Sequence, residues 1–232
     1  WTETPATQAW PYIAASVVIH AAYIILLVKS YQSGELGHVY PLARGAAPLL
    51  VALAAFVIAG ERLTPIGILG ILLISAGVMS LALAGSGRRL ADRKPTTIGL
   101  LTGVAIASYT VVDGIGIRAS GTPIGYISWL FMLEAPPIVL WVALTRQRTF
   151  TAYAWRQLPR GVLIGSMAIT SYGLALYALS LGAMASVAAL RETSVIFAVL
   201  IGTFLMKESF GRLRIFATAL VASGIVALNL AV

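Results

Sequence analysis

The sequence predicts an all-α polytopic membrane protein, an inverted repeat of two five-helix units with about eight transmembrane helices of ten present. Three observations predict it. The chain is 59% hydrophobic and 10% charged, with a mean hydropathy of +0.92, whereas a soluble domain is about a quarter charged. Its apolar residues fall into runs of roughly 20, the length that crosses a bilayer core of about 30 Å. Arg44, Glu61 and Gly77 recur as Arg191, Glu208 and Gly224, each 147 residues later.

The runs lie at about 11–32, 38–60, 65–85, 97–118, 123–145, 161–181, 184–206 and 213–232, as hydropathy and the bilayer thickness require. The first carries Ser16, His20 and Tyr23 at spacings of four and three, one stripe of a helix. In the second, Arg44 opens an apolar helix that Glu61 closes beside Arg62, and Gly77 sits inside the third. The fourth places Tyr109, Asp113 and Gly116 on one face. The fifth holds Trp129 and Glu134 before Pro136 and Pro137, which remove two backbone donors and should break the helix. Tyr172 lies in the sixth, with a stripe of Ser166, Thr170, Gly173 and Tyr177 and a weak GxxxG contact at Gly161 and Gly165. The seventh repeats the second from Arg191 to Glu208, and the eighth carries Gly224. Only about 86–96 and 146–160 are extended polar segments, and alternating strands of about ten residues, the mark of a membrane barrel, are absent.

Charge placement gives an orientation. Twelve of the sixteen Lys and Arg residues fall in four connections of the same parity, two (Arg62 and Arg118) in the opposite ones, and Arg44 and Arg191 lie inside helices. The positive-inside rule makes those four connections cytoplasmic and both ends of this chain external. The net charge of +8 is thus explained without nucleic acid, for which no binding motif is present. With no cysteine and two His residues, disulfides are excluded and no metal site is expected. Gly-rich phosphate loops, nucleotide fingerprints, HExxH and GxSxG are absent, so neither an enzyme nor a bound cofactor is expected.

The helices near 38 and 184 are five spans apart, an odd number, so the second copy is inverted in the membrane. This gives a first repeat at 1–85 with three helices, a linker at 86–96 and a second repeat at 97–232 with five. Two helices of the first repeat are expected to precede Trp1. Inverted repeats of this kind build many transporters, with the solute site near the midplane.

The stretches HVYPLARGAAPLLVALAAFVIAGERL (38–63) and ASVAALRETSVIFAVLIGTFLMKES (185–209), each followed by a helix with a central glycine, resemble the two repeats of the EamA family in the drug/metabolite transporter superfamily. The segments YPLARG (40–45) and YTVVDGIGIR (109–118) resemble one bacterial branch of it. The resemblance implies a ten-helix carrier of small metabolites, amino acids or drugs, working outward by alternating access, in a bacterial inner membrane. The family is commonly drawn with both termini cytoplasmic, and the charge count here departs from that. A lipid-linked flippase and a membrane subunit without transport of its own are the alternatives.

Site candidates are the polar residues that the bilayer makes costly, at about 2.5 to over 10 kcal/mol for a charge at its centre. Glu134 is the deepest acid and reads as a proton-titrating or amine-binding carboxylate, or as one held by a structural Arg or hydroxyl. Asp113 reads as a proton carrier with Tyr109 on its face, or as the partner of Arg118. Arg44 and Arg191 would either bind the orphan carbonyls of a broken helix or take a substrate carboxylate in bidentate fashion. Arg191 is the better substrate candidate, because Glu192, Thr193 and Ser194 follow it where the first repeat has Gly45, Ala46 and Ala47. His20 is a packing residue or a proton relay, and Trp129 and Tyr172 are aromatic walls for an organic solute. Glu61 and Glu208 lie about 25 Å along their helices from the arginines and are expected to fix helix ends and gating geometry, with Gly77, Gly224, Pro136 and Pro137. Partners are expected to be a small solute, protons as coupling ion, membrane lipids and a second copy of the chain.

Overall fold

The computed structural model describes residues 3–32, 36–84, 93–145, 150–204 and 211–231. After a single 3-10 turn at Thr7–Ala9 come α1 (Trp10–Gln32), α2 (Leu36–Ala59), α3 (Pro65–Ala84), α4 (Arg93–Ala119), α5 (Pro123–Thr145), α6 (Phe150–Leu181), α7 (Met184–Arg191), α8 (Ser194–Phe204) and α9 (Arg212–Asn229). Among the described residues there is no strand, and seven helices are long and apolar enough to cross a membrane. The chain is an all-α polytopic membrane protein.

Two helices depart from the sequence reading, for opposite reasons. The expected break at Pro136 and Pro137 is absent, and α5 runs through both prolines to Thr145. Transmembrane helices tolerate interior proline when neighbouring groups or small backbone adjustments take up the freed carbonyls. The break falls instead in the seventh span, read as one helix over 184–206, which divides into α7 and α8 at Glu192 and Thr193. Neither proline nor glycine causes it. The N–H groups of Glu192, Thr193, Val195 and Ile196 bond to the carbonyls three residues back, at Ala189, Leu190, Glu192 and Thr193. That 3-10 tightening leaves the Arg191 carbonyl without the N–H of Val195 that an α-helix would give it. The segment 146–160, read as a polar connection, is helical from Phe150 onward as the first turns of α6.

The chain forms two compact units. The first comprises residues 1–21 and 112–181, the second residues 22–111 and 182–232. In the first, α5 packs on α6, and Ile13, Ile117, Tyr126, Leu130, Leu176 and Leu179 form the buried centre. Gly116 admits this packing, because a Cβ there would lie 2.6 Å from the Tyr126 hydroxyl. Val162, Leu163, Ile164 and Met167 of α6 are more than half exposed, a surface suited to lipid rather than water.

In the second unit α3 packs along α9, and α2 packs on α3 and α7. A Cβ on Gly77 would stand 2.8 Å from the Ala217 carbonyl oxygen, and one on Gly224 would stand 2.7 Å from that of Gly70. Gly70 and Ala217 are also 147 residues apart, so the repeat offset exchanges the two contacts. Gly60, at φ +66°, turns the chain out of α2, and the Glu61 N–H returns to the Ala55 carbonyl. The Glu61 carboxylate then accepts a bond from the Met184 N–H at 2.9 Å, which satisfies a donor left open at the start of α7.

Candidate functional site

In the first unit the polar side chains of α1, α4, α5 and α6 converge. Asp113 is fully buried. Its Oδ1 accepts the Tyr126 hydroxyl at 2.9 Å and its Oδ2 the Tyr172 hydroxyl at 2.6 Å. The Tyr172 ring meets His20 edge to face, with centroids 5.4 Å apart, and also meets the Phe131 ring edge to face at 6.1 Å. His20 Nδ1 lies 3.0 Å from Glu134 Oε1 and equally close to the Ser16 carbonyl and hydroxyl. Two of those three neighbours can only accept, so the arrangement is satisfied when Nδ1 carries hydrogen. Glu134 Oε1 is buried with no well-aligned donor among the described residues, and its contact with His20 is an ion pair when the imidazole is protonated.

This cluster answers several sequence expectations. Glu134 and His20, read separately, meet, and Asp113 meets two phenols rather than Arg118. Arg118 Nε instead donates to the Leu179 carbonyl at 3.0 Å. Trp129 stacks edge to face with Trp10 at 5.1 Å, and its indole N–H is buried without an acceptor among the described residues. Tyr126 was missed; it is the fourth residue of α5, and a phenol at a span's end reads as an interface residue. Ser166, Thr170 and Tyr177 are exposed, and a Cβ on Gly161 or Gly165 would meet nothing within 4 Å among the described residues.

The second unit holds a different arrangement, around the break between α7 and α8. Arg44 Nε donates to Glu192 Oε2 at 2.9 Å, and Nη2 reaches Ser194 Oγ at 3.1 Å and the freed Arg191 carbonyl at 3.4 Å. Arg44 thus meets a carboxylate, a hydroxyl and one backbone carbonyl at the break. The guanidinium also lies over the Tyr40 ring, 5.7 Å from its centroid, a favourable placement for a cation. Glu192, 3% exposed, was legible only as a polar residue after Arg191. Tyr109 sits edge to face with Tyr23 at 5.6 Å, in this unit rather than with Asp113. Tyr23, Tyr40, Arg44 and Thr102 border a small cleft with Leu27, Val39 and Ile106, with room for about one water molecule and a mainly apolar lining. Arg191 is half-buried beside Glu192. Glu208 lies outside the described residues.

Among the described residues no group of three or more His, Cys, Asp or Glu side chains is placed to hold a metal ion. No curated protein matches the chain. Residues 94–230 match the sequence model described as the EamA-like transporter family. That match spans more than half of the chain and takes in α4 to α9, with Asp113, Glu134 and the Arg191 break. The chain therefore belongs to the EamA family of the drug/metabolite transporter superfamily and is an integral membrane transporter protein.

Proposed function

We propose that the protein is a secondary carrier of small organic solutes that exports them across a bacterial inner membrane by alternating access between two inverted repeats, with protons as the coupling ion. The observation that carries the coupling is the cluster of Asp113, His20 and Glu134 inside the apolar first unit. Two carboxylates and one imidazole cannot all be neutralised by one another, since the imidazole supplies at most one positive charge. Holding the remaining negative charge at membrane depth costs several kcal/mol, and a proton or a basic solute removes that cost. A ligand that removes it in one state and not in the other shifts the balance between them, which is all that coupling requires. The exchange of the Gly77 and Gly224 contacts by the repeat offset supports the inverted-repeat frame.

The test is solute-driven proton movement. Purified full-chain protein is reconstituted into vesicles with a pH-sensitive dye inside, and amino acids, amines and organic acids are added outside one at a time. The expected result is proton flux with a subset of them, reduced about tenfold or more by Asp113→Asn and by Glu134→Gln, a loss near 1.4 kcal/mol. Solute flux that moves no protons and survives both substitutions overturns the reading.

A further inference from the structure

We propose that the junction of α7 and α8 is a two-position joint, with Arg44 as its catch, about which α8 turns while α7 stays docked. The argument starts from the backbone. At the junction the N–H groups of Glu192, Thr193, Val195 and Ile196 each bond to a carbonyl three residues back. In a continuous α-helix the same four donors would reach Ala188, Ala189, Arg191 and Glu192, four residues back. All four donors are satisfied in either arrangement, so the backbone bonds alone set only a small preference between the two. The sequence does not force the tighter one, since Glu192, Thr193 and Ser194 include neither proline nor glycine. Of the recognised causes of a sharp bend, the one present here is a side chain inserted into the ladder.

That side chain comes from another helix. Arg44 of α2 donates through Nε to Glu192 and through Nη2 to Ser194 and to the Arg191 carbonyl, which Val195 passes over. Regular winding returns the Arg191 carbonyl to Val195 and so competes with Arg44 for it. The packing on either side lets α8 move alone. α7 lies on α2 and α3 with Met184, Ala185, Ala188 and Ala189 buried, and Glu61 bonds its first residue. Among the described residues α8 packs chiefly on α9, and its Phe197 and Ile201 are more than half exposed. A 3-10 segment winds about 120° and rises about 2.0 Å per residue, an α-helix about 100° and 1.5 Å. Four residues changing over therefore turn α8 by roughly 80° against α7 and draw it in by about 2 Å. The half-span that α8 forms then presents a different face to its neighbours. This joint goes beyond the carrier reading and does not depend on it.

The experiment is distance measurement by pulsed electron paramagnetic resonance on the full-chain protein in phosphatidylcholine nanodiscs. The chain has no cysteine, so pairs of spin labels can be placed without background. One label sits on α3 at the exposed Leu72, as Leu72→Cys. The other sits on α8, at Leu200→Cys or Ile201→Cys, or on α7 at Ser186→Cys. Leu200 and Ile201 stand about 100° apart round the helix, so a turn of α8 cannot leave both distances unchanged. With Arg44→Gln at least one α8 distance is expected to shift by about 3 Å or more, or to gain a second peak, as a turn at a helix surface about 5 Å from its axis requires. The α7 distance should stay as it is without the substitution. Glu192→Gln, which weakens the catch and keeps the guanidinium, should move the α8 distances in the same direction by less, and serves if Arg44→Gln does not fold. Unchanged α8 distances in the folded variants overturn the proposal, because the bend would then be held by packing and not by Arg44. An α7 distance that moves as much as those of α8 overturns it too, because the whole span would then have loosened.

Discussion

Asp113 is held by two phenols on different helices, and each hydroxyl gives its proton to a different carboxylate oxygen. Tyr126→Phe and Tyr172→Phe each remove one donor and almost no volume. Hydrogen bonds inside membrane proteins are worth about 0.6 kcal/mol on average and up to about 1.7, so each variant is expected to lower unfolding stability in detergent by about 1 kcal/mol. The double variant should lose more than the two single losses added, because only then is the buried carboxyl stripped of both phenols. Thermal unfolding followed by intrinsic fluorescence measures this, and additive losses would mean that the two hydroxyls act independently of the carboxyl. For His20 and Glu134 the variant is Glu134→Leu. It removes the carboxylate oxygen 3.0 Å from His20 Nδ1, and the expected result is a larger loss than with Glu134→Gln, since the amide keeps an oxygen that can accept a bond. Equal losses from Leu and Gln would show that only the charge of Glu134 matters.

At the scale of single helices, what the sequence disclosed was set by how the signal is written. Apolar runs of the right length disclosed the spans, because hydropathy is summed over some twenty residues and tolerates local irregularity. Breaks depend on a few backbone bonds, and there the reading went to the conspicuous residues. Pro136 and Pro137 were expected to interrupt α5 and do not, while the unremarkable Glu192 and Thr193 separate α7 from α8. The partner that stabilises that break, Arg44, lies 147 residues away from the Arg191 carbonyl it reaches. No local pattern could disclose it; only the repeated arginine did. Two outcomes follow for these elements. Pro136→Ala and Pro137→Ala restore backbone donors to a helix that is already continuous, so each is expected to leave the thermal midpoint unchanged or raise it, and coupled flux should persist; loss of flux would mean that the prolines serve transport. Glu61→Ala removes the acceptor for the Met184 N–H, and a lost cap is expected to cost about 1 kcal/mol of stability. Glu61→Gln, which retains an oxygen, should recover most of it in the same unfolding measurement.

The whole chain is shaped by one repeated length, and the α3–α9 contact is where that length has a mechanical consequence. Gly77 faces the Ala217 carbonyl, Gly224 faces that of Gly70, and both residue pairs related by the repeat differ by 147 positions. Each contact therefore has a counterpart of the same kind with the roles of the two helices reversed, as in a two-fold interface folded into one chain. Close backbone approach between helices is how membrane proteins gain packing where lipid supplies no hydrophobic drive, so this contact is expected to be among the most rigid of its unit. A side chain at either glycine must displace backbone rather than a flexible tip. Overpacking commonly costs about 1–3 kcal/mol, and Gly77→Leu and Gly224→Leu are expected to reach the top of that range, by similar amounts because the contacts are equivalent. Gly161→Leu and Gly165→Leu, where a Cβ would meet nothing within 4 Å, should be near neutral and provide the control for helix propensity. Size-exclusion profiles of detergent-purified variants after graded heating compare all four. A large loss at only one of Gly77 and Gly224 would show that the repeated sequence has ceased to carry a repeated interface. Comparable losses at both, with the α6 pair silent, would mean that the repeated glycines still share one packing role.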